Sequence, residues 1–168
     1  MRERAAGADR SGGRFVLHRF NGDEVYRIAF ADIWVCAAEG SEGPVTLWFE
    51  VAADSDGARR CEDTEALGMA PTAEVGVELP GIDVDALVGR EFVMPGVRDD
   101  DEDSCMSLLY YCEHQPLRDN RINVLSRDGD RFRLRWTART QDVNYYDGSK
   151  PPTRIEIEGD FLFKRARG

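Results

Sequence analysis

The sequence predicts an all-β protein: an antiparallel β-sandwich or barrel of about seven to nine strands, with one or two short helical turns. Two observations carry this prediction. Apolar and polar residues alternate with a period of two in several segments, which is typical of strands with one buried face. Asn-Gly at 21–22 and Asp-Gly at 128–129 each separate two such segments, and both dipeptides favour hairpin turns.

The first half of the chain contains three predicted strands. Phe15 to Phe20 leads into the first hairpin turn, and Glu24 to Ala37 returns from it with apolar residues at even and odd positions. A strand that is apolar on both sides is central or bent, so we expect a bulge at Ala31-Asp32. The third strand runs from Val45 to Ala53 and is expected to end at a turn over 54–57.

The middle of the chain is less regular. Its predicted elements are a helical turn at 64–68, a strand at 74–79, a short helix capped by Asp83, an extended segment at 92–97 and a strand at 106–112. The acidic run from Asp99 to Asp103 fails as an EF-hand calcium loop. Ser104 stands where that loop needs glycine, and Tyr110 stands where it needs glutamate. A solvated loop is the expectation for five like charges in a row.

The last third has the clearest strand pattern, at 121–126, 131–140 and 153–164. If the last two strands pair antiparallel, the numbers of facing residues sum to a constant. We predict a sum of 291, which places Arg135 opposite Glu156 and puts opposite charges on one face. Such pairing favours a structural role over an anion site for three alternating arginines: Arg131, Arg133 and Arg135.

Length and composition predict one folded domain. The chain has 168 residues, the size of a single domain. We expect 1–13 to be a disordered N-terminal segment, because it lacks apolar residues, and 14–168 to form a single β domain. No signal-peptide or membrane-spanning pattern is present, so we expect a cytoplasmic protein. Two lysines among 22 basic residues are typical of a GC-rich, bacterial genome.

The charge balance narrows the classes of partner. The 22 basic and 32 acidic residues give a formal net charge of −10. Nucleic acid is therefore not expected as the main partner, because phosphate backbones bind clustered positive charge. An acidic surface instead favours encounter with a protein that carries a basic surface. The sequence predicts no oligomeric state.

Motifs for enzymatic chemistry are not found. The sequence has no glycine-rich phosphate loop, no dinucleotide motif, no Gly-x-Ser-x-Gly elbow and no His-Glu-x-x-His helix. We therefore predict no catalytic residue and no cofactor. The best candidate for a proton donor is Glu50, near Trp48 on an otherwise apolar strand, although no second carboxylate can be assigned to face it.

The cysteines are predicted to be reduced, with Cys36 and Cys112 buried in the core and Cys61 in a polar, exposed segment. Cys105, Cys112 and His114 are the best metal candidates, since thiolates and imidazole suit zinc. Their spacing matches no familiar zinc site, and we predict no metal.

The loop at 141–152 is the predicted binding site. It joins two well-patterned strands and is longer than the about 2–5 residues usual in hairpins. Long loops on rigid sheets often carry binding function. The predicted binding residues combine flat aromatic rings with adaptable polar groups, as recognition surfaces do: Asn144, Tyr145, Tyr146 and Asp147.

Two functional classes remain. The first is a non-enzymatic binding module that recognises a protein partner through loops and an acidic surface, as an immunity protein or inhibitor does. The alternative is a small-molecule-binding barrel, with or without enzymatic activity, whose cavity would be lined by Trp34, Trp48 and Trp136. We favour the binding module because no catalytic constellation is present.

Overall fold

The computed structural model describes residues 12–37, 43–95 and 107–164, and these residues form one ten-stranded sheet. Its strands are β1 Arg14–Arg19, β2 Gly22–Ala37, β3 Val45–Arg59, β4 Thr72–Leu79, β5 Glu91–Met94, β6 Ser107–Tyr111, β7 Glu113–Pro116, β8 Arg118–Asp128, β9 Arg131–Thr140 and β10 Thr153–Lys164. Two 3₁₀ turns, Glu62–Thr64 and Val84–Ala86, are the helical elements of the described residues. The all-β prediction is confirmed. The structure has ten strands rather than the predicted seven to nine. Strand β7 was not predicted because its residues do not alternate with a period of two.

The sheet is antiparallel and strongly curved. Its strand order is β5-β8-β9-β10-β1-β2-β3-β4-β6-β7. The first half of β2 pairs with β1, and residues 32–34 pair in parallel with 162–164 of β10. Within the part of the chain that the structure describes, the edge strands β5 and β7 do not pair with each other, so the sheet does not close into a barrel.

Strands β2 and β3 depart from two predictions. The irregularities of β2 lie between Val25 and Arg27 and between Ile28 and Phe30, so the expected bulge at Ala31-Asp32 was placed too late. Strand β3 does not end at the turn expected after Ala53 but continues to Arg59, which lies opposite Val25 of β2. Residues 55–58 form an irregularity between this pair and the pair of Arg27 and Asp54, with Gly57 at a φ of +68°.

The inner face of the curved sheet forms the core. Phe49 of β3 packs against Phe92 of β5, with ring centroids 5.8 Å apart. Trp136 is fully buried, and its indole N–H donates to the Asn120 side-chain oxygen at 3.0 Å. Gly13 and Gly159 make a close crossing, since a Cβ on Gly13 would lie 2.7 Å from the Gly159 Cα. The outer face carries the charged residues discussed below.

Strands β9 and β10 pair antiparallel as predicted, but with a different register. Facing residues sum to 293, so that Arg135 lies opposite Glu158 and Arg133 opposite Asp160. The predicted sum of 291 is wrong by two, which an alternating pattern cannot detect because an even shift keeps every side chain on its face. Ion pairs from Glu158 to Arg133 at 3.0 Å and to Arg135 at 3.2 Å agree with a structural role for these arginines.

The three described cysteines are reduced as predicted, but the predictions of their burial are reversed. Cys36, Cys61 and Cys112 are free, but Cys36 and Cys112 are exposed and Cys61 is buried. Cys36 has the parity of the outward-facing Trp34, and Cys112 lies in the tight turn between β6 and β7. The backbone of Cys61 donates to the buried Glu24 carboxylate at 3.3 Å, and burial raises the pKa of its thiol.

Several predictions lie outside the described residues: disorder over 1–11, the acidic run 99–103, and any role for Cys105. Gly12 and Gly13, at the end of the expected N-terminal segment, have no regular secondary structure. The described ranges contain no helix with the length and apolar character needed to cross a membrane.

Candidate functional site

The predicted loop at 141–152 packs against two other turns of the chain. Tyr145 contacts the β1–β2 turn, where its ring lies edge-on to Phe20 with centroids 5.3 Å apart. Tyr146 reaches the β6–β7 turn, where its hydroxyl donates to the Tyr111 carbonyl at 2.8 Å. The loop is therefore fixed at two points.

The two tyrosines have different roles. Tyr146 is half-buried, and burial, with the nearby Cys112 and Glu113, raises its pKa to about 12. It anchors the loop from within. Tyr145 and Phe20 lie at the surface, and the Lys150 ammonium sits 5.1 Å from the Phe20 ring centroid and 5.2 Å from that of Tyr145. Phe20 is exposed, whereas Tyr145 and Lys150 are half-buried, and together these three side chains form the aromatic surface of the loop.

The polar residues of the prediction hold the loop in shape. The Asn144 amide donates to the Asp63 carboxylate at 3.1 Å. Asp147 accepts the Ser149 backbone N–H at 3.0 Å, and this hydrogen bond lowers its pKa. Both side chains are exposed and have free capacity for further hydrogen bonds.

A buried ionic network lies beneath the loop. The Arg19 side chain is inaccessible to solvent, as are those of Glu24 and Asp142. Arg19 donates to Asp142 at 2.9 and 2.7 Å, to Asp63 at 2.8 and 2.8 Å, and to Glu24 at 3.1 Å. Burial lowers the pKa of Arg19, but the hydrogen bonds to Asp142 and Asp63 outweigh it and raise the pKa above its ordinary range.

The Glu24 carboxylate is equally well satisfied. It accepts the Tyr26 hydroxyl at 2.6 Å and the Tyr111 hydroxyl at 3.1 Å. Thr64 also donates its hydroxyl to Glu24. Every strong donor and acceptor of the network is used within the chain, so its chemistry is structural. It ties the β1–β2 hairpin, the first 3₁₀ turn and the loop together.

The buried ionic network around Arg19 was not predicted, although the sequence contains a pattern that indicates it. Arg19 has the parity of the buried Phe15 and Leu17 in β1, and Glu24 has the parity of the buried Tyr26 in β2. A charged residue on a buried face needs a partner of opposite charge. Two such residues flanking one hairpin turn predict an ion pair between them.

The second surface of interest lies on the outer face of β2, β3 and β4. Asp32 lies opposite Glu50, and Glu50 lies opposite Glu74, so three carboxylates form a row across three strands. Trp34 and Trp48, the adjacent pair, stack with centroids 5.5 Å apart and ring planes 14° apart. We call this surface the acid–aromatic face, defined by Asp32, Trp34, Trp48, Glu50, Glu74, Tyr110 and His114.

Glu50, the proton-donor candidate of the sequence, is at the centre of this row. Burial and the charges of Glu74 and Asp32 raise its pKa, while Lys164 and a hydrogen bond with Trp34 act in the opposite direction. Lys164 itself forms an ion pair with Asp32. Glu50 therefore lies between two acids, and Lys164, whose charge acts on it, is already paired with Asp32.

A cleft of about 160 Å³ opens beside the row. Its walls include Glu50 and Glu74, with Leu108, Tyr110 and His114 from β6 and β7. The rings of Tyr110 and His114 lie 4.7 Å apart. The cleft is smaller than the about 300–1,000 Å³ of small-molecule pockets, and it suits the end of one side chain.

Of the three metal candidates, Cys112 and His114 belong to the described residues and Cys105 does not. No three His, Cys, Asp or Glu side chains there have the arrangement of a metal site. Cys112 is exposed in the β6–β7 turn, and His114 packs on Tyr110. Trp34, Trp48 and Trp136 also do not line one cavity, because the first two are stacked outside and the third is buried in the core.

Comparison of the chain with protein-family models, curated proteins and solved structures finds no match. The loop and the acid–aromatic face are therefore the two candidate binding surfaces. Carboxylates form charge-assisted hydrogen bonds with guanidinium and ammonium groups, and indole faces attract the same cations. The acid–aromatic face combines both features.

Proposed function

We propose that the protein is a non-enzymatic binding module for a protein partner with a basic surface, and that an Arg or Lys side chain of the partner enters the cleft beside Glu50 and Glu74. The row of three facing carboxylates carries this proposal. Like charges directly opposite each other repel. A cation between Glu50 and Glu74 would remove that repulsion on binding.

The aromatic residues of the acid–aromatic face also favour the binding of an Arg or Lys side chain. Trp34 and Trp48 are half-buried, and Tyr110 is 37% exposed. Tryptophan, tyrosine and their cationic partners dominate the energy of many protein interfaces. The net charge of −10 would in addition accelerate encounter with a basic protein.

The loop adds the second part of the proposed surface. Asn144, Tyr145 and Asp147 would contact the partner, while Tyr146 holds the loop in place. The buried network below them keeps this surface ordered before binding, which reduces the entropic cost of association. We place this function in the cytoplasm of a bacterial cell.

The test uses the three tryptophans as reporters. In a ¹H–¹⁵N NMR titration with a hexa-arginine peptide, we expect the indole signals of Trp34 and Trp48 to shift saturably. The signal of the buried Trp136 should stay in place. A hexa-citrulline peptide, which keeps the side-chain shape but lacks the charge, should shift none of them.

Two double variants make the test specific. Glu50→Gln with Glu74→Gln should abolish the shifts, because it removes the charges beside the cleft. Glu62→Gln with Glu65→Gln changes the net charge equally at exposed positions elsewhere and should keep them. Equal weakening by both pairs would mean general attraction to an acidic protein and would overturn the proposed site.

A further inference from the structure

A row of arginines lies on the outer face of β8, β9 and β10. Arg139 of β9 is directly opposite Arg154 of β10 and directly opposite Arg118 of β8. All three side chains are exposed. In a chain with a net charge of −10, this concentration of positive charge does not follow from composition.

Arg139 and Arg154, the two arginines of the row that face each other across β9 and β10, are neutralised only in part. No carboxylate of the described residues forms an ion pair with Arg139. The acid nearest Arg154 is Glu156 at 3.5 Å, and Glu156 also contacts Arg14 at 3.3 Å and His18 at 3.4 Å. Like charges on facing residues destabilise a sheet, and an anion between them would relieve this.

Two adjoining clefts open beside the row. The first, of about 310 Å³, is lined by Arg121, Arg139 and Arg154 with Thr137. The second, of about 370 Å³, is lined by Pro116, Thr140, Gln141 and Pro152. Arg139 and Asp119 belong to both. Each volume lies at the lower end of the range for small-molecule pockets, about 300–1,000 Å³.

We propose that these clefts bind a phosphate monoester of a small hydroxylated molecule. The phosphate lies between Arg139 and Arg154, where guanidinium groups donate pairs of parallel hydrogen bonds to its oxygens. The hydroxylated part extends into the second cleft and donates to the Asp119 carboxylate. Inorganic phosphate lacks the hydroxylated part that extends into the second cleft, so it forgoes the contacts there and binds more weakly.

Two other arginines of β9 can be compared with Arg139. Arg133 and Arg135 lie on the same strand and the same face as Arg139, but both are paired with Glu158. Their charges are therefore already used within the sheet. Arg135 is therefore a control position with the same residue type on the same strand, but with a carboxylate partner that Arg139 lacks.

The experiment is isothermal titration calorimetry with ribose 5-phosphate, with ribose and inorganic phosphate as separate probes. We expect saturable binding of ribose 5-phosphate and weaker binding of each separate probe. R139Q should lower the affinity by about tenfold or more, since it removes charge-assisted hydrogen bonds. R135Q should leave the affinity within about twofold, as expected for a distant surface charge.

Three outcomes would overturn the proposal. One is the absence of saturable binding to the wild-type protein, and the second is an equal loss in R139Q and R135Q. The third is tighter binding of a single-stranded oligonucleotide, lost in R139Q, which would replace the small molecule by a nucleic-acid strand. R139Q also relieves repulsion, so its unfolding temperature without ligand should not fall, and this separates lost binding from lost folding.

Discussion

The buried network around Arg19 should make Asp142 one of the most sensitive positions of the protein. Asp142→Asn preserves the shape of the side chain but removes its charge and replaces one acceptor oxygen by an N–H₂ group. That group would face the Arg19 donors, which now lie 2.7 and 2.9 Å from the carboxylate oxygens. Two donors would then oppose each other in a site without solvent access.

The expected loss in the free energy of unfolding depends on the carboxylates that still contact Arg19 in the variant. Removing one partner of a buried ion pair costs about 3–5 kcal/mol. Asp63 and Glu24 still neutralise Arg19 in the variant, so we expect the low end, about 3 kcal/mol. For a chain of this size, 1 kcal/mol corresponds to roughly 2–4 °C in Tm. The unfolding temperature should therefore fall by about 6–12 °C.

The assay is thermal unfolding followed by circular dichroism, with urea unfolding for the free energy. Glu91→Gln is the control: it breaks the 2.6 Å ion pair with Arg121, whose side chains are 53% and 42% exposed. Exposed pairs contribute about 0.2–1 kcal/mol. If Asp142→Asn costs no more than Glu91→Gln, the network does not stabilise the fold as argued.

Two further predictions concern stability. Gly13→Ala should cost about 1–3 kcal/mol by overpacking, because its Cβ would lie 2.5 Å from the Glu158 carbonyl oxygen. Gly12→Ala, which has open space around the new Cβ, should be neutral, and equal urea midpoints would contradict the close crossing. Hydrogen bonds from Arg19 lower the pKa of Asp63, so its stabilisation is present at neutral pH and is lost as pH falls below about 4. Asp63→Asn should destabilise at pH 7 and do so less at pH 3; a constant difference between the two chains would refute this linkage.

The sequence predicted a hairpin and a helix cap, because these elements depend only on residues that are neighbours in the chain. The Asn21-Gly22 signal predicted the β1–β2 hairpin, although the turn residues are Phe20 and Asn21 and Gly22 pairs with Arg19. Asp83 caps the second 3₁₀ turn by accepting the Asp85 N–H at 3.0 Å. The extension of β3 to Arg59 was not predictable, because it depends on pairing with a bent β2. Strand β7 has no alternation of apolar and polar residues, so the sequence does not predict it. It forms because it pairs with β6.

The two proposed charged surfaces depend on strand register, which explains why the sequence did not reveal them. A register sum of 291 would have placed Arg139 opposite Pro152, whereas the observed 293 places it opposite Arg154. Alternation put Glu50 on the outer face, but only the pairing of β2, β3 and β4 brings Asp32 and Glu74 beside it. The predicted binding residues of the loop rest on composition and length, which need no register.

The outer face of the sheet therefore carries two charged surfaces of opposite sign. The carboxylate row lies on β2, β3 and β4, and the arginine row lies on β8, β9 and β10. Salt would weaken binding at both surfaces, since each interaction is exposed to solvent screening. Salt dependence alone thus cannot tell which surface a ligand uses. Loss of binding in the Glu50 and Glu74 variant, with binding retained in R139Q, assigns a ligand to the acid–aromatic face, and the opposite result assigns it to the arginine row.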